Sequence, residues 1–204
     1  MSPESIASGP ALEDEDRARA EIYALLARLF YAPPDAKLLQ AIVGADQLVT
    51  EESVTPLALA WRDLKLACAG SSVEAAREEY ESVFIGTGKA EVTLYLGAYV
   101  PGSVAGPFLV ELKQFLASHR LARRESVNEP EDHLAAVLEV MRHFIAEERA
   151  SVEAQKAFFI EYVWAGATAL CEAIAASTGA RLYKDVARFT RSFLELEQAA
   201  FEIG

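Results

Sequence analysis

The strongest constraint on this chain is a helical period that runs through almost all of it. Ile22, Leu25, Leu26, Leu29 and Phe30 fall at i, i+3, i+4, i+7 and i+8, one face of an amphipathic helix. Glu13 to Asp16 crowd its start, where the helix dipole favours carboxylates, and Pro33-Pro34 ends it. A short helix is predicted from Asp35 to Val43, closed by Gly44. Thr55-Pro56 gives a cap and a first-turn proline ahead of the face Leu57, Trp61, Leu64 and Cys68. Ser71 and Glu74 have capping-box spacing before Val73, Ala76, Tyr80, Val83 and Phe84, and Gly86 stops that helix. Further apolar faces follow: Leu109 to Leu116, Leu134 to Ile145, about Ser151 to Ser177, and Arg181 to Phe201. Only Glu91 to Val100 hints at alternation, and neither of its two sets is polar throughout. At the usual helix length of about 11–12 residues, the pattern predicts an all-α, single-domain bundle of about eight helices spanning 1–204. Residues 1–12 carry no apolar period and are expected to be disordered. Trp61, Leu64, Phe115, Leu138, Met141 and Phe193 sit on apolar faces and are assigned to the core.

Composition excludes several function classes. Thirty-one acidic against 19 basic side chains leave a net charge of −12, the wrong sign for counterion displacement from nucleic acid. The same charge disfavours anionic membrane surfaces and suits a basic partner. Cys68 and Cys171 form no CxxC, so neither a disulfide framework nor a zinc or iron–sulfur site is expected, and sparse cysteines fit a reducing compartment. The acidic N-terminus has no basic and apolar signal-peptide regions. Two stretches mimic a membrane span. Val92 to Val110 is uncharged but broken by Gly97, Pro101, Gly102, Gly106 and Pro107; Ala157 to Ser177 contains Glu161 and Glu172. Both are expected to be buried inside a cytoplasmic protein without stable membrane insertion.

Tests for chemistry are mostly negative. His133 and His143 are separated by about 80° around a helix and ~15 Å along it, so they cannot share a metal, and no cofactor is expected. Gly86-Thr87-Gly88-Lys89 lacks both the earlier glycine and the Ser/Thr of a phosphate loop. One run is informative: Ser126-Val127-Asn128-Glu129-Pro130-Glu131-Asp132-His133-Leu134. As a helix start it is well made, with Asn128 as cap, Pro130 in an early turn position and Glu131 and Asp132 in the field of the dipole. That account leaves His133 unexplained, since an imidazole is expected to gain nothing at a helix N-terminus. Asp132 and His133 then project toward whatever lies above the helix end.

Glu129-Pro130-Glu131-Asp132-His133 resembles the E-P-x-D-H motif of the TorD/DmsD/NarJ family of redox-enzyme maturation chaperones. Tyr80-Glu81-Ser82-Val83-Phe84-Ile85-Gly86 resembles that family's aromatic-x-x-Leu-Phe-x-Gly segment, with Val83 in place of Leu. The Tyr95–Tyr99 connector, with Gly102 and Gly106, also fits, although Gly97 stands where the family has a small polar residue. So does the opening helix ending in Leu29-Phe30-Tyr31, and the likeness covers roughly Arg17 to Leu196. The resemblance implies a non-catalytic cytoplasmic chaperone for the catalytic subunit of a molybdopterin oxidoreductase. Such a protein binds the subunit or its twin-arginine signal peptide and holds it until the cofactor is inserted. It exists as a monomer or a helix-swapped dimer. The client surface is then expected to comprise Tyr80, Phe84, Tyr95, Tyr99, Glu129, Pro130, Asp132 and His133, with Asp132 meeting an arginine or a backbone amide. The competing readings are a helical adaptor or regulatory module without such a client, and a small hydrolase using Asp132 and His133.

Overall fold

The computed structural model describes residues 13–46, 54–86, 88–100, 106–122 and 129–203. Among these residues the chain forms eight helices and no strand. They are α1 (Asp14–Tyr31), α2 (Ala36–Gly44), α3 (Pro56–Gly70), α4 (Val73–Tyr80, continued by a π turn Glu81–Ile85) and α5 (Gly106–Ser118). Then come α6 (Leu134–His143, continued by a π turn Phe144–Glu148), α7 (Val152–Ala176, with a π stretch Phe159–Trp164) and α8 (Leu182–Ile203). The chain is an all-α bundle, as its periodicity predicts. Residues 1–12, Pro101, Gly102 and the expected cap Asn128 lie outside the described residues.

Local chemistry sets most helix starts. Asp35 Oδ1 accepts from the Leu38 amide (2.7 Å) and Thr55 Oγ1 from Ala58 (3.2 Å). The cap of α4 is Ser72, which accepts from Ala75 at 3.1 Å, one residue beyond the Ser71 expected from the box spacing. The start of α8 is capped from a distance: Glu79 accepts from the amides of Arg181, Leu182 and Tyr183 at 2.7, 3.1 and 2.8 Å. A carboxylate there satisfies orphan donors and complements the dipole.

The core follows from the apolar faces. α1 lies along α6, α3 along α8, and α7 along α8. Tyr23 and Phe193 meet edge-to-face at 4.9 Å, and Trp61 packs on Phe189 at 5.1 Å. Trp61, Leu64, Leu138, Met141 and Phe193 are buried; Phe115 is half-buried against Phe158 and Tyr162. α7 is long and apolar enough to cross a membrane, but half of its apolar window is inside the protein, with Phe158, Phe159, Leu170 and Ile174 fully buried.

Among the described residues, no buried side-chain nitrogen or oxygen lacks a hydrogen-bond partner. The Arg19 guanidinium donates to both oxygens of Glu197 (2.8 and 2.9 Å), to Asp16 (2.8 Å) and to Gln155 (3.2 Å). Tyr23 donates its hydroxyl to Glu197 at 2.9 Å, and burial with this carboxylate pushes the phenol pKa far up. This network ties α1, α7 and α8 together. Both thiols are buried, which raises Cys68 to about 11 and Cys171 to about 12 and keeps them protonated and unreactive.

A groove around the start of helix α6

The connector after α4 is stitched against the segment before α6. Gly86 turns the chain at φ +63°, and a Cβ there would collide with the Lys89 backbone, so only glycine fits. Val92 then donates its amide to Val83 O at 2.9 Å. Leu96 donates to Asp132 O at 2.9 Å, and Leu134 donates to Leu94 O at 2.8 Å, so Tyr95 and His133 face each other as an isolated antiparallel bridge. The next residues form one 3-10 turn, Leu96–Ala98. This turn sits on α7 at Gly166, where a Cβ would lie 3.0 Å from Leu96 Cβ. The alternation of Glu91 to Val100 therefore becomes a single bridge and a turn rather than a strand.

The start of α6 differs from the sequence expectation in a way that explains His133. The helix begins at Leu134, and His133 is its N-cap: Nδ1 accepts from the Ala135 amide at 3.2 Å. A neutral imidazole with its proton on Nε2 thus satisfies an orphan donor, so it gains from this position after all. Burial at 4% exposure lowers the His133 pKa and favours that neutral form. Pro130, Glu131 and Asp132 form a turn ahead of the helix rather than its first residues.

Asp132 is also buried, at 5% exposure, and desolvation raises its pKa, opposed by a hydrogen bond from the Gly97 amide. The backbone of Gly97 thus supplies the bond for which its missing side chain is not needed. Asp132 holds the connector in place. With its carboxylate on Gly97 and His133 Nδ1 on Ala135, the two do not make an oriented acid–base pair.

Three cavities meet at this point. One, of about 480 Å³, is lined by Tyr31, Pro33, Tyr80, Phe84, Ile85, Leu94, Tyr95, Glu129 and His133. A second, about 370 Å³, continues past Tyr31, Pro33, Glu129 and His133 to Arg28, Leu38, Ala136 and Glu139. A third, about 390 Å³, shares Glu129, Ala136 and Glu139 and runs along α6 to Leu121, Arg142 and Glu147. Glu129 lines all three. Tyr95 donates its hydroxyl to Glu129 Oε2 at 2.6 Å, which raises the phenol pKa to about 12. Its ring meets His133 edge-on at 5.6 Å.

Of the eight residues singled out in the sequence, Tyr80, Phe84, Tyr95, Glu129 and His133 line the groove. Tyr80 is a buried wall, its hydroxyl on Phe30 O at 3.0 Å and its ring on Phe84 and Tyr183. Tyr99, Pro130 and Asp132 line none of these three cavities, and Tyr99 instead donates to Thr93 O at 2.9 Å. The client surface expected from the sequence leaves out Tyr31, 55% exposed, and Ile85, 61% exposed, although both lie in segments that carry the resemblance. Their signal was available: each is a large apolar residue at the last position of a helical segment, just before the chain turns away.

The polar core of this all-α bundle is structural, and the groove around Glu129 joins apolar side chains to an acidic margin, the features of a binding bundle rather than of a catalytic centre. The family model described as nitrate reductase delta subunit matches residues 50–195. The chaperone protein TorD of Shewanella loihica (strain ATCC BAA-1088 / PV-4) is 26% identical over 214 residues, covering 97% of this chain and 97% of the relative. The chain belongs to the nitrate reductase delta subunit family, the TorD/NarJ chaperones. It is a chaperone and not an enzyme.

Proposed function

We propose that this chaperone serves the catalytic subunit of a molybdopterin oxidoreductase in the cytoplasm. It takes the subunit's N-terminal peptide, of twin-arginine type, into the groove around Glu129 and His133 and holds it until the cofactor is inserted. The observation that carries this reading is the set of adjoining cavities that share Glu129, with Tyr31, Ile85 and Tyr95 exposed along them in a chain of net charge −12. A peptide of arginines followed by an apolar helical stretch complements both features. Covering an apolar side chain gives ~1.5–3 kcal/mol. A micromolar complex, about −8 kcal/mol, therefore needs only a handful of such contacts and one ion pair.

Calorimetry with a synthetic peptide carrying an arginine pair and about ten apolar residues tests the reading. Saturable binding that weakens with added salt is expected, because exposed charges are screened. No binding to that peptide, together with no co-purification of an oxidoreductase subunit on co-expression, overturns it.

A further inference from the structure

The groove is asymmetric, and the asymmetry sets a direction. Toward Phe84 and Ile85 its lining carries a single formal charge, that of Glu129. Away from them the lining carries Arg28, Asp35 and Glu139 in one cavity, and Glu131, Glu139, Glu147 and Arg142 in the other. Three of these carboxylates already have cationic partners: Glu131 pairs with Lys113 (3.4 Å), and Glu139 and Glu147 share Arg142 at 2.7 and 2.8 Å. Glu129 has no cationic partner among the described residues. The Tyr95 hydroxyl fixes its Oε2, and its other oxygen accepts no hydrogen bond from a described residue. It is a pre-oriented carboxylate at the junction of an apolar and an acidic cavity.

Resting on the reading above, we infer that Glu129 receives a guanidinium of the bound peptide and that the peptide lies in one direction, its apolar stretch running from Glu129 over Phe84 and Ile85. A carboxylate held by a phenol presents its remaining lone pairs in a fixed place, which suits the planar donor fork of arginine. The apolar stretch then takes the cavity with no second charge to desolvate. Tyr95 acts as a positioning residue, through Glu129.

Two measurements test this. In calorimetry, Glu129→Gln is expected to weaken the arginine-pair peptide about tenfold, the scale of a hydrogen bond to a charged group. The same substitution is expected to leave a glutamine-pair version of the peptide unchanged. In disulfide trapping, Ile85→Cys is expected to capture a peptide with a cysteine within the apolar stretch and not one with a cysteine before the arginines. Cys68 and Cys171 are buried and stay silent. If Ile85→Cys captures the cysteine before the arginines, or captures neither while the peptide binds, the direction is wrong. Equal weakening of both peptides by Glu129→Gln removes Glu129 from arginine recognition. If wild-type protein binds neither peptide, the proposed function fails and this inference with it.

Discussion

Tyr23 and Tyr95 mark two regions of one bundle that use the same side chain in opposite ways. In the interior, between α1 and α8, Tyr23 is fully buried with its hydroxyl on Glu197, and Arg19 neutralises that carboxylate. Around the start of α6, Tyr95 is 38% exposed with its hydroxyl on Glu129, and no cation among the described residues neutralises that one. The first arrangement is closed: every group has its partner within the chain. The second is the same chemistry with the arginine left out. Substitutions in the interior should therefore change stability, and those in the groove should change binding.

The largest effect is expected in the core. Leu138→Ala, at a side chain with no exposure, should cost ~2–5 kcal/mol in denaturant unfolding, while protein that remains folded still binds peptide. Arg19→Ala should cost about 2–3 kcal/mol, because it strands Glu197 in the interior; the figure is below that of a fully buried pair since Arg19 keeps some exposure. His133 lies where the two regions meet. His133→Ala should cost ~1 kcal/mol as a lost N-cap, and His133→Asn should recover most of it, since asparagine caps well.

The pH dependence sharpens the same boundary. The native His133 pKa lies below its ordinary 6.5, so between these values the unfolded chain holds more protons and stability falls as pH drops through that window. Asp132, raised above 3.8, acts in the opposite sense: between 3.8 and its native value the folded state holds the extra proton, which stabilises it as pH falls. The thermal midpoint of the wild type should decline below pH 6.5, and that of His133→Asn should decline less. A parallel decline would remove His133 from the acid response. The smallest stability effect belongs to Tyr95→Phe, expected within about 0.5 kcal/mol of wild type, as for ordinary surface changes.

The helices were legible because their cause is local. Periodicity, Pro33-Pro34 and Thr55-Pro56 all act within one or two turns. Pairings between distant segments were not. Nothing within a few residues of Glu79 announces that it caps α8, a hundred residues away, nor that Arg19 meets Glu197. The π turns after Tyr80 and His143 also leave the apolar period intact, so the sequence does not betray them. In the groove, the run Glu129 to His133 was visible as unusual, but the roles inside it were not. The sequence leaves His133 without a role because its cap bond depends on a tautomer and on a helix that starts later than the proline indicates. The burial of Asp132 is not visible in the sequence because its partner, the Gly97 amide, belongs to a segment that meets it across the Tyr95–His133 bridge.

Hydrogen exchange of the chaperone with and without the arginine-pair peptide tests the division between a closed interior and an open groove most directly. The expected result is added protection in residues 31–38, 84–85, 90–95 and 129–139, which include the lining of the groove, with the exchange of α3 and α8 unchanged. Added protection confined to α3 and α8, with the groove segments unaffected by bound peptide, would contradict it.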